Sequence, residues 1–179
     1  RPLDYFSLWR GSQKTGGGIL REFGIHYLDI LQYLVGMPSV ICASFFNTKF
    51  HNTDVSDTVY GLLDFNKFGG SFEVSIASEP KNLECSLSIM TDKGFLKLGG
   101  KSLDEIVTAE FIDIADNEKF NLIKAQASSL QTANLVQQGA SPYHPELYRQ
   151  IIINPEKFAL KQTYNVIKLI EEAYKFRPK

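Results

Sequence analysis

The 179-residue sequence is poor in soft and imidazole side chains, with two cysteines, two methionines, one tryptophan and three histidines. Cys42 and Cys85 lie far apart in separate apolar, strand-like stretches. That placement predicts reduced core residues rather than a bridge or a metal pair. His51 and His144 have no partners at zinc-like spacing, so no metal site is expected. Charge of one sign is also missing. Nineteen Lys and Arg against twenty Asp and Glu leave a net charge of −1, without the clustered basic excess that favours nucleic acid or an anionic membrane. No apolar run approaches the roughly 20 residues of a membrane-spanning helix. The opening Arg1-Pro2-Leu3-Asp4-Tyr5 has no signal-peptide pattern. These absences together predict a cytoplasmic protein.

Internal repeats, low-complexity tracts and Pro/Gly/Ser-rich linkers are absent as well, so a single domain over 1–179 is expected, with an ordinary 44% of hydrophobic residues to build its core. There is no strand–GxGxxG–helix unit to cradle a dinucleotide. Gly99-Gly100-Lys101-Ser102 has the ending of a phosphate loop, but the glycine required five residues before the second one is replaced by Phe95. A β-turn is the expectation there.

What is present follows a clear order. An aromatic and polar opening ends in Gly16-Gly17-Gly18, where backbone geometry closed to other residues is allowed. A helix is predicted from Ile19 to about Val35, stopped by Gly36-Met37-Pro38. Strand signals run from Val40 to Phe50 and from Thr58 to Phe65, with a turn at Asn66–Gly70. Phe72, Val74 and Ile76 alternate with polar or small residues at period 2, as do Leu83, Cys85, Leu87 and Ile89. Thr91-Asp92-Lys93-Gly94 turns the chain into Phe95–Leu98, and a further strand is predicted between Ile106 and Ile114. Asp116–Gly139 carries no clear pattern. Pro145–Ile152 and the stretch from Leu160 to Tyr174 then read as helices. The predicted fold is α+β, an open and mostly antiparallel sheet with helices packed on one face. The other face of that sheet requires a cover, and a second copy of the chain is the predicted one.

A helix advances about 100° per residue. Leu20, Phe23, Tyr27, Leu28, Ile30, Leu31, Leu34 and Val35 therefore share one broad side, and Glu22, His26 and Asp29 the opposite one. Spacings of four and three bring helical side chains together, so His26 is predicted between two carboxylates just after the glycine run. Histidine titrates near neutrality and suits the proton half of an alcohol oxidation, with a carboxylate to orient it. The same three residues also fit a solvated polar helix face, and geometry alone favours that reading.

The stretches Tyr5-Phe6-Ser7-Leu8-Trp9-Arg10-Gly11 and Gly16-Gly17-Gly18-Ile19-Leu20-Arg21-Glu22-Phe23-Gly24-Ile25-His26-Tyr27-Leu28-Asp29 resemble the start of the C-terminal domain of the glucose–fructose oxidoreductase/inositol dehydrogenase family (Gfo/Idh/MocA). That family has a glycine pair or triplet and then acid-x-Gly-x-His-x-x-Asp. The aromatic run ending Trp-basic-Gly is most similar to members acting on nucleotide sugars, the UDP-N-acetylglucosaminuronate 3-dehydrogenases. The likeness continues through Asp57–Phe72, Met90–Gly100 and the closing helices.

The resemblance implies that the chain is the substrate-binding and oligomerisation half of a dehydrogenase using NAD or NADP. It further implies that the dinucleotide-binding domain lies outside these residues, so that the chain as given neither binds NAD tightly nor turns over substrate. His26 and Glu22 take the catalytic roles, although Glu22 stands where the family commonly has aspartate or a neutral residue. Trp9, Arg10, Lys14, Gly17, Gly18, Asp29 and His144 are the implied contacts to a sugar or UDP-sugar, with Arg10 and Lys14 suited to a diphosphate. The competing expectation is a non-catalytic oligomerisation or ligand-binding domain.

Overall fold

Alternation of buried and exposed residues builds the first sheet. In a computed structural model, which describes residues 6, 8–49, 53–78, 85–100, 103, 105–131, 144–158 and 161–178, the strands β1 (Ser39–Phe46), β2 (Thr58–Asp64) and β3 (Gly69–Ser75) pair antiparallel in that order. Val59 and Leu63 of β2 point inward and are fully buried, while Tyr60 and Leu62 between them are exposed on the outer face. β-Branched and aromatic side chains suit such a half-buried pleat. Phe72, paired with Gly61 across the sheet, lays its ring over the glycine, where a β-carbon would otherwise stand.

A bulge between Val40 and Cys42 inserts Ile41 as an unpaired residue in β1. It corrects one expectation. Cys42 is turned to the exposed face rather than into the core, and Cys85 is only half-buried.

Two connections are held by polar side chains. Asn66 takes a left-handed conformation (φ 67°) in the β2–β3 turn, where Phe65 and Phe68 stack with centroids 4.6 Å apart. In the β1–β2 connection the buried carboxylate of Asp57 accepts hydrogen bonds from the backbone N–H groups of Thr48 (3.0 Å) and Lys49 (2.8 Å) and the hydroxyls of Thr48 and Thr58. Buried charge is tolerated when hydrogen-bonded in this way.

Two helical segments cover the inner face. The first begins as a π-helical turn, Leu20–Gly24, and continues as α1 (Ile25–Val35), ending at Gly36 with φ +96°. The other, α4 (Lys161–Tyr174), returns from the far end of the sequence. Ile19, Leu20 and Leu28 meet Val166, Leu169, Ile170 and Ala173 over Val59 and Leu63 to form the core. Burial of such side chains contributes on the order of 1.5–3 kcal/mol each.

The chain divides into two compact units, Arg1–Asn82 with Ala159–Lys179, and Leu83–Phe158. The second has its own antiparallel sheet, β4 (Leu87–Thr91), β5 (Gly94–Gly99) and β6 (Glu105–Phe111). The Thr91 hydroxyl accepts the N–H groups of Lys93 and Gly94, both at 3.1 Å, and so closes the predicted β4–β5 turn. Helix α2 (Ile114–Gln131) packs on β6 through Phe120 and Phe111, and α3 (His144–Ile153) follows. The fold is α+β with helices on antiparallel sheets, as predicted, and the described strands fall into two groups of three. No helix among the described residues is long and apolar enough to cross a membrane. His51, Lys101 and Ser102 lie outside the described residues.

Candidate functional site

The glycine run is explained first by the backbone around it. Leu8–Gly11 and Gln13–Thr15 are short 3-10 turns; the Ser12 N–H closes the first on the Trp9 carbonyl (3.3 Å), and the N–H groups of Gly16 and Gly17 close the second on the carbonyls of Gln13 (3.1 Å) and Ser12 (2.9 Å). Gly16 (φ +89°) and Gly18 (φ +121°) occupy conformations that side chains disfavour. At Gly17 a β-carbon would stand on the carbonyl oxygens of Trp9 and Arg10. At Gly18 it would stand 2.5 Å from the Tyr174 hydroxyl. All three glycines are thus required by the fold, whatever ligand they also approach.

The turn presents a set of polar groups. Trp9 is 45% exposed, and the Arg10 guanidinium lies 4.8 Å from its ring centroid, a cation–π contact. Arg10 Nε also approaches Glu22 Oε2 at 3.3 Å. Lys14 is exposed at the tip of the second turn. Trp9, Arg10, Gly17, Gly18 and Glu22 are therefore gathered at one place, with Lys14 on the same short segment.

His26 and Asp29 are exposed on α1. Neither carboxylate is joined to the imidazole among the described residues. Glu22 turns to Arg10, and Asp29 accepts a 2.7 Å hydrogen bond from Gln32 Nε2. The competing Arg10 guanidinium holds Glu22, which lies on the π-helical turn Leu20–Gly24, away from His26. Ile30 and Leu34 are exposed and Ile19 is buried. His144 opens α3 of the second unit, and its side chain lies outside those described. No group of three or more His, Cys, Asp or Glu side chains that could hold a metal ion occurs among the described residues.

Residues that sequence reasoning missed surround the turn from a distance. Arg21 donates to Glu171 Oε1 (2.9 Å from Nη2) and to the Gly17 carbonyl (3.4 Å), and its guanidinium lies 4.3 Å from the Tyr174 ring. Tyr174 stacks in turn on Phe45 of β1 at 5.2 Å. Burial pushes the Tyr174 phenol above its ordinary value, against the opposing pull of the Arg21 and Arg177 charges. Asp54 accepts the Gln13 N–H at 2.9 Å, and Arg177 bridges the Gln13 side chain and the Asp54 carbonyl. Only Arg21 carried a local signal, as a cation beside the glycine run. The others meet the site across more than forty residues of sequence.

Residues 1–97, just over half of the chain, match the GFO/IDH/MocA C-terminal domain. The chain belongs to the GFO/IDH/MocA family. Among solved structures it is similar to the WlbA dehydrogenase from Chromobacterium violaceum in complex with NADH and UDP-GlcNAcA, at 26% identity and TM-score 0.76, covering 98% of this chain and 49% of that one. The Bordetella pertussis WlbA dehydrogenase, also in complex with NADH and UDP-GlcNAcA, shares the fold at 23% identity and TM-score 0.78, covering 98% of this chain and 51% of that one. A levoglucosan dehydrogenase in complex with NADH and L-sorbose aligns at 25% identity and TM-score 0.52, over 61% of this chain and 32% of that one. No curated protein matched the sequence. The chain spans about half the length of the WlbA structures it matches. The described family domain offers no strand–glycine turn–helix unit to hold a dinucleotide, since every strand pair in it is antiparallel.

Proposed function

We propose that the chain is the substrate-side half of an NAD(P)-dependent dehydrogenase acting on a sugar or nucleotide sugar. The observation that carries this reading is the alignment of 98% of the chain, at 26% identity, with a dehydrogenase structure that contains NADH and UDP-GlcNAcA. Oxidation of a ring hydroxyl releases a hydride, for which a nicotinamide cofactor is the acceptor, and a proton. Only the proton is assigned to residues of this chain. His26, exposed on α1 just beyond the glycine turn, takes it from the hydroxyl as general base.

Glu22 acts from the turn rather than on the imidazole. Its carboxylate holds Arg10 and presents a polar edge to the sugar. Trp9 offers a half-exposed ring on which a sugar or base stacks, and Arg10 and Lys14 suit the diphosphate of a UDP-sugar. Gly17 and Gly18 allow the close approach, Asp29 supports the polar face of α1, and His144 is kept as a sugar contact on the family resemblance alone. The outer face of the first sheet, with Phe46, Tyr60 and Leu62 each more than 40% exposed, joins two copies of the chain.

The test is hydride transfer by the full-length protein, followed as reduction of NAD or NADP, across neutral sugars, sugar acids and UDP-sugars including UDP-N-acetylglucosaminuronic acid. Turnover is expected with at least one of them, and the UDP-sugar is expected to give the highest kcat/KM. Absence of cofactor reduction with every sugar contradicts the proposal.

A further inference from the structure

The candidate turn is held from outside its own segment, by Asp54 of the β1–β2 connection and by the last helix with the residues just after it. Glu171 and Tyr174 grip Arg21, the ion pair spanning 150 positions of sequence. The Tyr174 ring is wedged between Phe45 of β1 and the Arg21 guanidinium, and its hydroxyl stands against Gly18. Beyond α4 the chain continues in tight turns, with Phe176 N–H on the Ala173 carbonyl and Arg177 N–H on the Tyr174 carbonyl, both at 3.1 Å. These turns carry the Arg177 guanidinium back to Gln13 and Asp54. Asp54 holds the same short turn through the Gln13 N–H. A planar guanidinium with several donors suits a bridge between two acceptors better than a lysine does.

We propose that Tyr174 and Arg177 are positioning residues, which fix the Trp9–Gly18 turn and thereby set the affinity of the site for its sugar. Neither contacts His26 among the described residues. Their effect passes through Arg21, Gln13 and the glycine backbone, so it should appear in KM rather than in the chemical step. The inference rests on the proposed dehydrogenase reading for its KM prediction, whereas the clamp itself is a statement about the backbone.

The experiment uses the full-length protein with Arg177→Gln, Tyr174→Leu and the conservative Tyr174→Phe, and reads two quantities. Hydrogen exchange at the amides of Gln13, Gly16 and Gly17 reports the turn directly. It should be about tenfold faster in Arg177→Gln and Tyr174→Leu, with the amides of β2 unchanged, and close to the parent in Tyr174→Phe, which keeps the ring. KM for the best sugar should rise about three- to tenfold in the first two variants while kcat changes less than about twofold. Unchanged exchange in Arg177→Gln overturns the clamp. Faster exchange with an unmoved KM overturns its role in affinity. Where Tyr174→Leu disturbs the core, seen as faster exchange in β2, Arg177→Gln alone decides. If the parent turns over no sugar, the dehydrogenase reading fails by itself, and the exchange measurement still decides whether the clamp exists.

Discussion

Arg10 and Glu22 face each other at 3.3 Å, Nε to Oε2, and this pair ties the helical segment to the turn that precedes it. The Glu22 side chain is only 11% exposed, whereas Arg10 at 40% is partly screened by solvent. The carboxylate predicted to orient His26 is engaged elsewhere.

A double-mutant cycle on thermal stability with Arg10→Gln and Glu22→Gln should therefore give a coupling of about 0.5–1 kcal/mol, a partly exposed pair being worth no more. Additive effects of the two substitutions would show that the pair contributes nothing. The Glu22→Gln variant should also lower sugar affinity more than turnover.

Gly16 and Gly18 both have positive φ, but their surroundings differ. Nothing lies within 4 Å of a β-carbon at Gly16, while the Tyr174 hydroxyl lies 2.5 Å from one at Gly18. Gly16→Ala should cost about 1 kcal/mol from backbone strain alone, and Gly18→Ala at least about 2 kcal/mol because a side chain must also move. Denaturant unfolding of the two variants checks this, and equal stabilities would contradict the placement of Tyr174.

The raised pKa of Tyr174 has a consequence for stability at high pH. The unfolded phenol loses its proton around 10.0, while the folded one keeps it to higher pH. Stability from this group is thus complete below that value and is lost as pH rises through the folded-state value. Urea unfolding at about pH 8 and about pH 11 should show a smaller alkaline loss in Tyr174→Phe than in the parent. An equal loss in both would mean that the phenol is not buried.

The outer face of the first sheet leads to a prediction about assembly. Leu62 is 47% exposed there, so Leu62→Glu should leave the fold intact and remove self-association. Sedimentation should show the parent as a dimer or larger species and the variant as a monomer. A parent that stays monomeric at high concentration rules the sheet face out as an interface between copies.

How much was legible in the sequence follows from how local each cause is. Strand β2 was readable as the apolar run Thr58–Phe65, β3 because Phe72 and Val74 alternate at period 2, and the turn at Asn66 because its turn residues lie between them. Helix α2 was not readable. Ile114, Leu122 and Ile123 are 75%, 67% and 46% exposed, so its apolar residues form no single buried stripe to detect. The bulge at Ile41 and the π-helical turn at Leu20–Gly24 each shift the phase of a regular pattern, and nothing in the local composition announces either. The first misplaced Cys42, and the pull of Arg10 on Glu22 undid the predicted Glu22–His26 contact. At the site, Trp9, Arg10 and the glycines were visible because they sit on one short segment. Tyr174 and Arg177 were not, because only the folded chain brings them to it.

The most direct measurement is the turnover of the full-length protein with His26→Ala, assayed against the best sugar at saturating cofactor. If His26 takes the proton, kcat should fall by about 10²–10⁴-fold, while the Kd for NAD or NADP stays within about twofold because the sequence holds no strand–GxGxxG–helix unit. Near-normal turnover in His26→Ala would contradict the catalytic assignment and leave the imidazole as a solvated member of the polar face of α1.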